Sequence, residues 1–334
     1  MKQTSLVITS IAGDTHPILQ LYAAKASEYN TKFILIGDTK SPADFSLEGC
    51  SFYGVKEQQA LPFSLIPLLP YKHYARKNIG YLLAMKNGSE VIIETDDDNI
   101  PFDEFWLNRE KNFSGYILDE KGWVNIYRYF SSHKIWPRGF ALEELNNSLP
   151  ALDKIIDFQS PIHQGLADKN PDVDAIYRLI SELPQYFNKS TPVALGNRTI
   201  CPFNSQNTTW FKEAFPLLYL PSYCSFRMTD IWRSFVVQRI AWENNWPVVF
   251  HNATVFQERN EHNLMHDFRD EISGYTNNYE IVRRLKSLTL TKDDVFNNLI
   301  ICYTELISMG VIDEKELPLL HAWVNDIHAI VNGA

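Results

Sequence analysis

The sequence predicts an α/β fold, a mixed and mainly parallel sheet flanked by helices, followed by a C-terminal helical appendage. Three observations predict it. Short β-branched apolar runs at 5–9, 33–36 and 91–93 alternate with helical patterns, the βαβ rhythm of a parallel sheet. The third run leads directly into Glu94-Thr95-Asp96-Asp97-Asp98-Asn99, which puts carboxylates at the C-terminal end of a strand, where open α/β sheets bind ligands. From about residue 276 onward, three helical patterns (277–290, 292–309 and 314–332) follow one another without a recognisable motif.

The elements follow in order. The first run closes at Thr9-Ser10, and Asp14-Thr15-His16-Pro17 opens a helix that carries Ile18, Leu21, Tyr22 and Ala26 on one side. A proline just inside a helix start, after a Thr or Asp cap, is a standard entry signal. Phe33-Ile34-Leu35-Ile36 is the second strand and Gly37-Asp38 its exit. After a Pro-containing loop at 61–70, Tyr71 to Lys86 reads as helix, stopped by Asn87-Gly88. Residues 101–170, with Trp106, Trp123, Trp136-Pro137-Arg138-Gly139 and Pro161, read as a loop-rich excursion over a site. Asp172 to Leu183 is a short amphipathic helix, and a long one starts at Thr229-Asp230 and ends before the strand Val248-Val249-Phe250. On this reading residues 1–270 form one domain, with a ligand-binding half at about 1–100 and a second half at about 101–270, and residues 271–334 form the helical appendage.

Composition narrows the function. With 334 residues, 45% of them hydrophobic and 21% charged, the chain can bury a large core. The balance of 31 Lys+Arg against 40 Asp+Glu gives a net charge of -9, which disfavours nucleic acid and anionic membranes as general partners. Cys50, Cys201, Cys224 and Cys302 form no C-x-x-C pair, so neither a zinc knuckle nor a disulfide framework is indicated. The apolar run at Leu6-Val7-Ile8 is too short for a signal-peptide core, and no stretch of about 18 apolar residues offers a membrane span. A cytoplasmic protein is expected, with peripheral membrane association compatible.

Asp96-Asp97-Asp98 is the strongest chemical signal. Three adjacent carboxylates repel one another, and a hard divalent cation is the usual compensation. In an extended backbone Asp96 and Asp98 project to one side and can share Mg2+ or Mn2+, while Asp97 points to the other and is counted with the cofactor-binding residues. A bare D-x-D also fits a solvated acidic loop; its position after Val91-Ile92-Ile93 favours the metal. Asp38 and Lys40, after the second strand, suit a nucleoside edge and a phosphate. Arg76, Lys77 and Asn78 start the helix before the acidic strand, and Thr9 and Ser10 end the first strand, all facing the same crevice. Asp230, at a helix N-terminus, is either a dipole-favoured cap or a general base for a hydroxyl, with Arg227 nearby for an anion and Arg233 for a structural pair. His251 is a candidate to complete the metal shell; His163 and His262 are weaker ones.

The combination resembles the nucleotide-sugar half of GT-A glycosyltransferases. Several stretches look more closely like the STELLO family: Val7-Ile8-Thr9-Ser10-Ile11, Ile36-Gly37-Asp38-Thr39-Lys40-Ser41-Pro42, Tyr74-Ala75-Arg76-Lys77-Asn78-Ile79-Gly80-Tyr81, Glu94-Thr95-Asp96-Asp97-Asp98-Asn99, Trp136-Pro137-Arg138-Gly139, Asp172-Val173-Asp174-Ala175-Ile176-Tyr177-Arg178 and Arg227-Met228-Thr229-Asp230-Ile231-Trp232-Arg233. The resemblance implies a GT-A fold, a nucleoside-diphosphate sugar donor, a glycan or lipid-linked glycan acceptor and Mg2+ or Mn2+ at Asp96 and Asp98. It also makes Asp230 similar in placement to the base of inverting enzymes. A nucleotide-sugar mutase and a non-catalytic GT-A scaffold are the alternatives. A nucleotidyltransferase is disfavoured because Ser10-Ile11-Ala12-Gly13-Asp14 lacks a Gly-rich phosphate loop.

Overall fold

The computed structural model of the chain describes residues 2–258 and 263–333. In its first part, β1 (Thr4–Thr9), α1 (Pro17–Glu28), β2 (Lys32–Ile36), β3 (Cys50–Tyr53), α2 (Val55–Gln59), α3 (Lys77–Lys86) and β4 (Val91–Thr95) build four parallel strands in the order β3-β2-β1-β4. Because successive strand residues face opposite sides, each run feeds two cores. Leu6, Ile8, Phe33 and Leu35 meet Leu19, Tyr22 and Ala23 of α1, whereas Val7, Ile34, Ile36 and Ile92 meet Ile79 and Leu82 of α3. Gly80 lets α3 lie close on the sheet, since a Cβ there would overlap Val7 Cγ1.

The chain then adds β5 (Asn99–Pro101), β6 (Asn112–Leu118), β7 (Gly122–Trp123), β8 (Ile156–Gln159), β9 (Ile162–Asp168), α4 (Ala175–Ile180), β10 (Val193–Leu195), β11 (Thr199–Ile200), β12 (Asn207–Phe211), α5 (Thr229–Glu243) and β13 (Val248–Gln257). The sheet continues from β4 as β12-β9-β13-β10-β6-β8. Strand β12 runs antiparallel to both β4 and β9, so the parallel half ends at β4 and the extension is mixed. The expected α/β class holds, with a mixed sheet flanked by helices.

The C-terminal helices α6 (Leu264–Ser287), α7 (Val295–Ser308) and α8 (Glu316–Val331) pack their apolar faces on the main core. A boundary at 270/271 falls inside α6, and Leu285, Leu299, Tyr303 and Trp323 belong to the main core with Phe235 and Ile79. Polar ties reinforce the packing. Asp326 accepts hydrogen bonds from the Ser64 and Leu65 amides (2.8 and 2.9 Å), and Glu316 accepts from those of Ser222 and Tyr223 (2.9 and 2.6 Å). Sequence periodicity finds these helices but not what their apolar faces cover. Among the described residues no helix is long and apolar enough to cross a membrane.

Candidate functional site

Strand β4 is wholly buried and delivers the acidic residues to its carboxyl end. They form a turn, not an extended strand: the Asn99 amide donates to the Asp96 carbonyl (3.3 Å), and Asn99 Nδ2 bonds Thr95 Oγ1 and the Gln206 carbonyl. The turn brings all three carboxylates to one cavity, which corrects the expectation that Asp97 would point away from its neighbours. Each has its own partner. Lys77 Nζ, fully buried, donates to Asp96 Oδ1 (2.8 Å) and to the Thr95 carbonyl (3.0 Å). The Ser10 hydroxyl donates to Asp97 Oδ2, and Gln257 Nε2 donates to Asp98 Oδ2 (2.9 Å). Burial, with Asp96 alongside, pushes the Asp98 carboxyl up to about 6.

Two adjoining cavities open here. The first, about 280 Å³, is walled by the acidic turn, Tyr74, Arg138, Asp172, Asn204, Ser205, Arg227, Asp230 and Gln257. The second, about 320 Å³, is lined by Ser10, Gly37, Asp38, Thr39, Lys40, His73 and Arg76; Thr9, Tyr74, Asp97 and Phe226 border both. Asp38 shapes the second cavity by capping, accepting from the amides of Thr39 (2.6 Å) and His73 (3.2 Å). Arg76 is spent on its floor: it bonds Gln58 Oε1 and the Leu69 carbonyl and lies 4.6 Å from the centre of the Tyr71 ring.

Asp230 starts α5 with its carboxylate on the wall of the first cavity. Arg138 Nη1 and Nη2 donate to its two oxygens (3.1 and 3.0 Å), joined by the Ser205 amide (3.2 Å) and the Tyr74 hydroxyl (3.3 Å). Although burial opposes ionisation, the Arg138 guanidinium wins and holds the carboxyl well below the usual carboxylate range. Arg227 reaches the same cavity but pairs with the fully buried Glu271 of α6 (2.8 Å), so a helix expected outside the site organises its rim. Arg233 makes the structural pair expected of it, with Glu94 (2.7 Å).

Two candidates do not join the site. Asn78 is buried, with its side-chain oxygen and nitrogen both taken by the backbone of Leu220 (2.9 and 2.8 Å). His251 lies on β13 six residues before Gln257, roughly 20 Å along the strand at ~3.3 Å per residue. It faces a separate depression with His163 and Arg109, and burial lowers its pKa to about 4. It therefore does not complete a shell with Asp96 and Asp98. His262 lies outside the described residues.

Among the described residues no three His, Cys, Asp or Glu side chains are placed to enclose a cation. The donors fit instead a hard divalent ion held by one or two carboxylates and completed by substrate phosphates. Asp98 Oδ1 supports that fit, being buried without a hydrogen-bond partner beside two further carboxylates. Arg138 and Asp172 join the site from segments whose sequence pattern assigns them no chemical role. The signal was the isolated Arg-Gly of Trp136-Pro137-Arg138-Gly139, because Gly139 sits at φ +84° where a Cβ would overlap Ile231 Cγ2.

The fold and cavities define an α/β protein whose candidate ligand site lies at the carboxyl ends of parallel strands, with carboxylates and cations suited to a polar, phosphorylated small molecule. Comparison with known proteins narrows the class. The profile of the STELLO glycosyltransferases matches residues 227–332. Two Arabidopsis thaliana proteins, named "Probable glycosyltransferase STELLO2" and "Probable glycosyltransferase STELLO1", are each 26% identical to this chain, over 88% and 89% of its length respectively. The chain is thus STELLO-like over most of its length, and it spans 41% of the length of each of these relatives. Among solved structures, a mycobacterial protein superposes with a TM-score of 0.42 at 9% identity, covering 83% of this chain and 74% of that one.

Proposed function

We propose that the protein is a glycosyltransferase that takes a nucleoside-diphosphate sugar and passes the sugar to a hydroxyl of a glycan or lipid-linked glycan, in surface polysaccharide or glycoconjugate synthesis. The observation that carries this reading is the meeting of the acidic turn and Asp230 across one cavity that joins a second containing Asp38 and Lys40. The second cavity suits the nucleoside, with Asp38, Thr9 and Ser10 at its polar edge and Lys40 exposed for phosphate. Asp96 and Asp98 would hold Mg2+ or Mn2+, which when bound neutralises charge on the leaving diphosphate.

On the opposite wall Asp230 takes the acceptor's proton. A carboxylate this acidic accepts it late, once the anomeric bond to the diphosphate is largely broken and the attacking hydroxyl has become acidic. Attack from the Asp230 side, opposite the leaving group, inverts the anomeric centre. Cytoplasmic chemistry with peripheral membrane contact completes the proposal.

Thermal melting with a panel of nucleoside diphosphates, with and without Mn2+, tests the reading. A ligand at 100 times its Kd stabilises the native state by about 2.7 kcal/mol. One diphosphate is expected to raise the melting temperature more with Mn2+ than without, and Asp98→Asn to remove the difference. Asp230→Asn is expected to keep binding and lose transfer. No shift with any diphosphate would sink the proposal.

A further inference from the structure

We propose that Arg138 is a positioning residue for sugar transfer: bracketed between Asp172 and Asp230, its guanidinium fixes the Asp230 carboxylate on the cavity wall as an oriented anion. This rests on the reading of Asp230 as the base.

The geometry is fully specified. Nε donates to Asp172 Oδ1 (2.8 Å), and Nη2 donates to Asp172 Oδ2 (2.9 Å) and Asp230 Oδ2 (3.0 Å). Nη1 donates to Asp230 Oδ1 (3.1 Å) and to the Arg227 carbonyl. All five N–H donors are therefore engaged, with a two-pronged fork on each carboxylate. Only a planar guanidinium offers that arrangement; an ammonium is a single point charge.

The surroundings hold the fork in place. The Arg138 amide donates to the Asp172 carbonyl (2.9 Å), Trp136 Nε1 donates to Asp174 (2.7 Å), and Asn204 Nδ2 donates to the far bracket, Asp172 Oδ2 (2.9 Å). Asp172, Arg138 and Asp230 all line the first cavity, so the brace is part of the wall that an acceptor would touch.

Electrostatics agree with the geometry. The groups that face Asp230 are Arg138 from the middle excursion, Arg233 from α5, the Ser205 amide and the Tyr74 hydroxyl, with Asp96, Asp172 and Cys224 at greater remove. The cations dominate, and the carboxylate stays ionised despite burial. Without Arg138, burial would act on Asp230 with less opposition and the group would hold its proton to higher pH. Asp172 works the other way. It competes for Arg138, so removing it loosens the orientation while leaving Asp230 ionised.

The test uses the full chain with the donor identified by melting, and reads kcat, donor KM and their pH profiles in Arg138→Gln, Arg138→Lys and Asp172→Asn. Carbon-13 NMR of labelled aspartate follows the Asp230 titration without substrate. Arg138→Gln is expected to lower kcat about a hundredfold with donor KM within threefold, and to move the acid limb and the Asp230 titration up by roughly two pH units. Arg138→Lys is expected to lower kcat with a smaller pH shift. Asp172→Asn lowers kcat with no upward shift, and added guanidinium ion restores part of the rate of Arg138→Gly.

A folded Arg138→Gln with an unmoved Asp230 titration overturns the proposal, as does a loss confined to donor KM. If Arg138→Gln fails to fold, Asp172→Asn decides: an unchanged kcat overturns the proposal. Wild-type transfer by Asp230→Asn would defeat the base reading itself. An inactive Asp230→Asn beside unmoved Arg138 variants would defeat only the positioning role.

Discussion

Replacing Arg233 by methionine should destabilise the fold through one stranded charge. Glu94 and Arg233 are both fully buried. Glu94 accepts from Arg233 Nη2 (2.7 Å), Arg233 Nη1 (3.1 Å), Trp210 Nε1 (2.9 Å) and the Tyr81 hydroxyl. Arg233→Met fills much of the same volume but leaves the carboxylate without its cation, a change that costs about 3–5 kcal/mol when one partner of a buried pair is removed. At about 2.1 cal/mol/K per residue, 334 residues give an unfolding entropy near 0.7 kcal/mol/K, so the melting temperature should fall by roughly 4–7 °C. Calorimetry measures this. The double variant Glu94→Gln/Arg233→Met should recover most of the loss, because the introduced amide oxygen can still accept from Trp210 Nε1 while its NH2 group donates to the Tyr81 hydroxyl oxygen, with no charge left unpaired. A drop of less than 1 °C in the single variant, or a double variant as unstable as the sum of its parts, would refute the reasoning.

Three further outcomes follow from the same geometry. Folding raises the Asp98 carboxyl from 3.8 to about 6, so its contribution favours the fold in acid and is lost as pH rises through about 6; Asp98→Asn, free of that loss, should gain stability relative to wild type in melts at pH 8 compared with pH 5. Glu271→Ala removes the acceptor shared by Arg227, the Ala175 amide and the Tyr275 hydroxyl, and should cost about 2–4 kcal/mol in urea unfolding while weakening ligand binding at a site that α6 does not line. Gly139→Ala pushes a Cβ into Ile231 at φ +84° and should cost at least ~2 kcal/mol by the same assay; a variant as stable as wild type would contradict the close approach.

What the sequence made legible was whatever depends on local patterning. The strands at 5–9, 33–36 and 91–93, the helix beginning at Thr229 and the placement of Asp96–Asp98 at a strand end all follow from hydrophobic period and neighbouring residues. What escaped depends on partners distant in the chain. The acidic residues turn because Asn99 and Thr95 bond Gln206, more than a hundred residues away. Asn78 looked like a ligand group beside Arg76 and Lys77, yet half a helical turn separates a side chain facing a cavity from one facing the core, and Leu220 claims it. His251 follows a strand just as the acidic turn does, but near the start of a ten-residue strand whose far end reaches the site. Arg138 sits in an irregular segment where no periodicity signals which way a side chain points, and Asp172, expected to open a helix, lies before its actual start at Ala175.

The antiparallel insertion of β12 between β4 and β9 has a consequence for how the molecule is born. As the chain leaves the ribosome, the acidic turn emerges early, but β4 has no neighbour on that side until residues 207–211 have followed. Asp230 comes later still, and Arg227 is tied only after Glu271 of α6 appears. Closure of such long loops is entropically costly and slow. The pocket is therefore a late product of synthesis: a chain stalled before β12 would expose the acidic turn on a half-built sheet, and one stalled before α6 would complete the strands but leave Arg227 without Glu271.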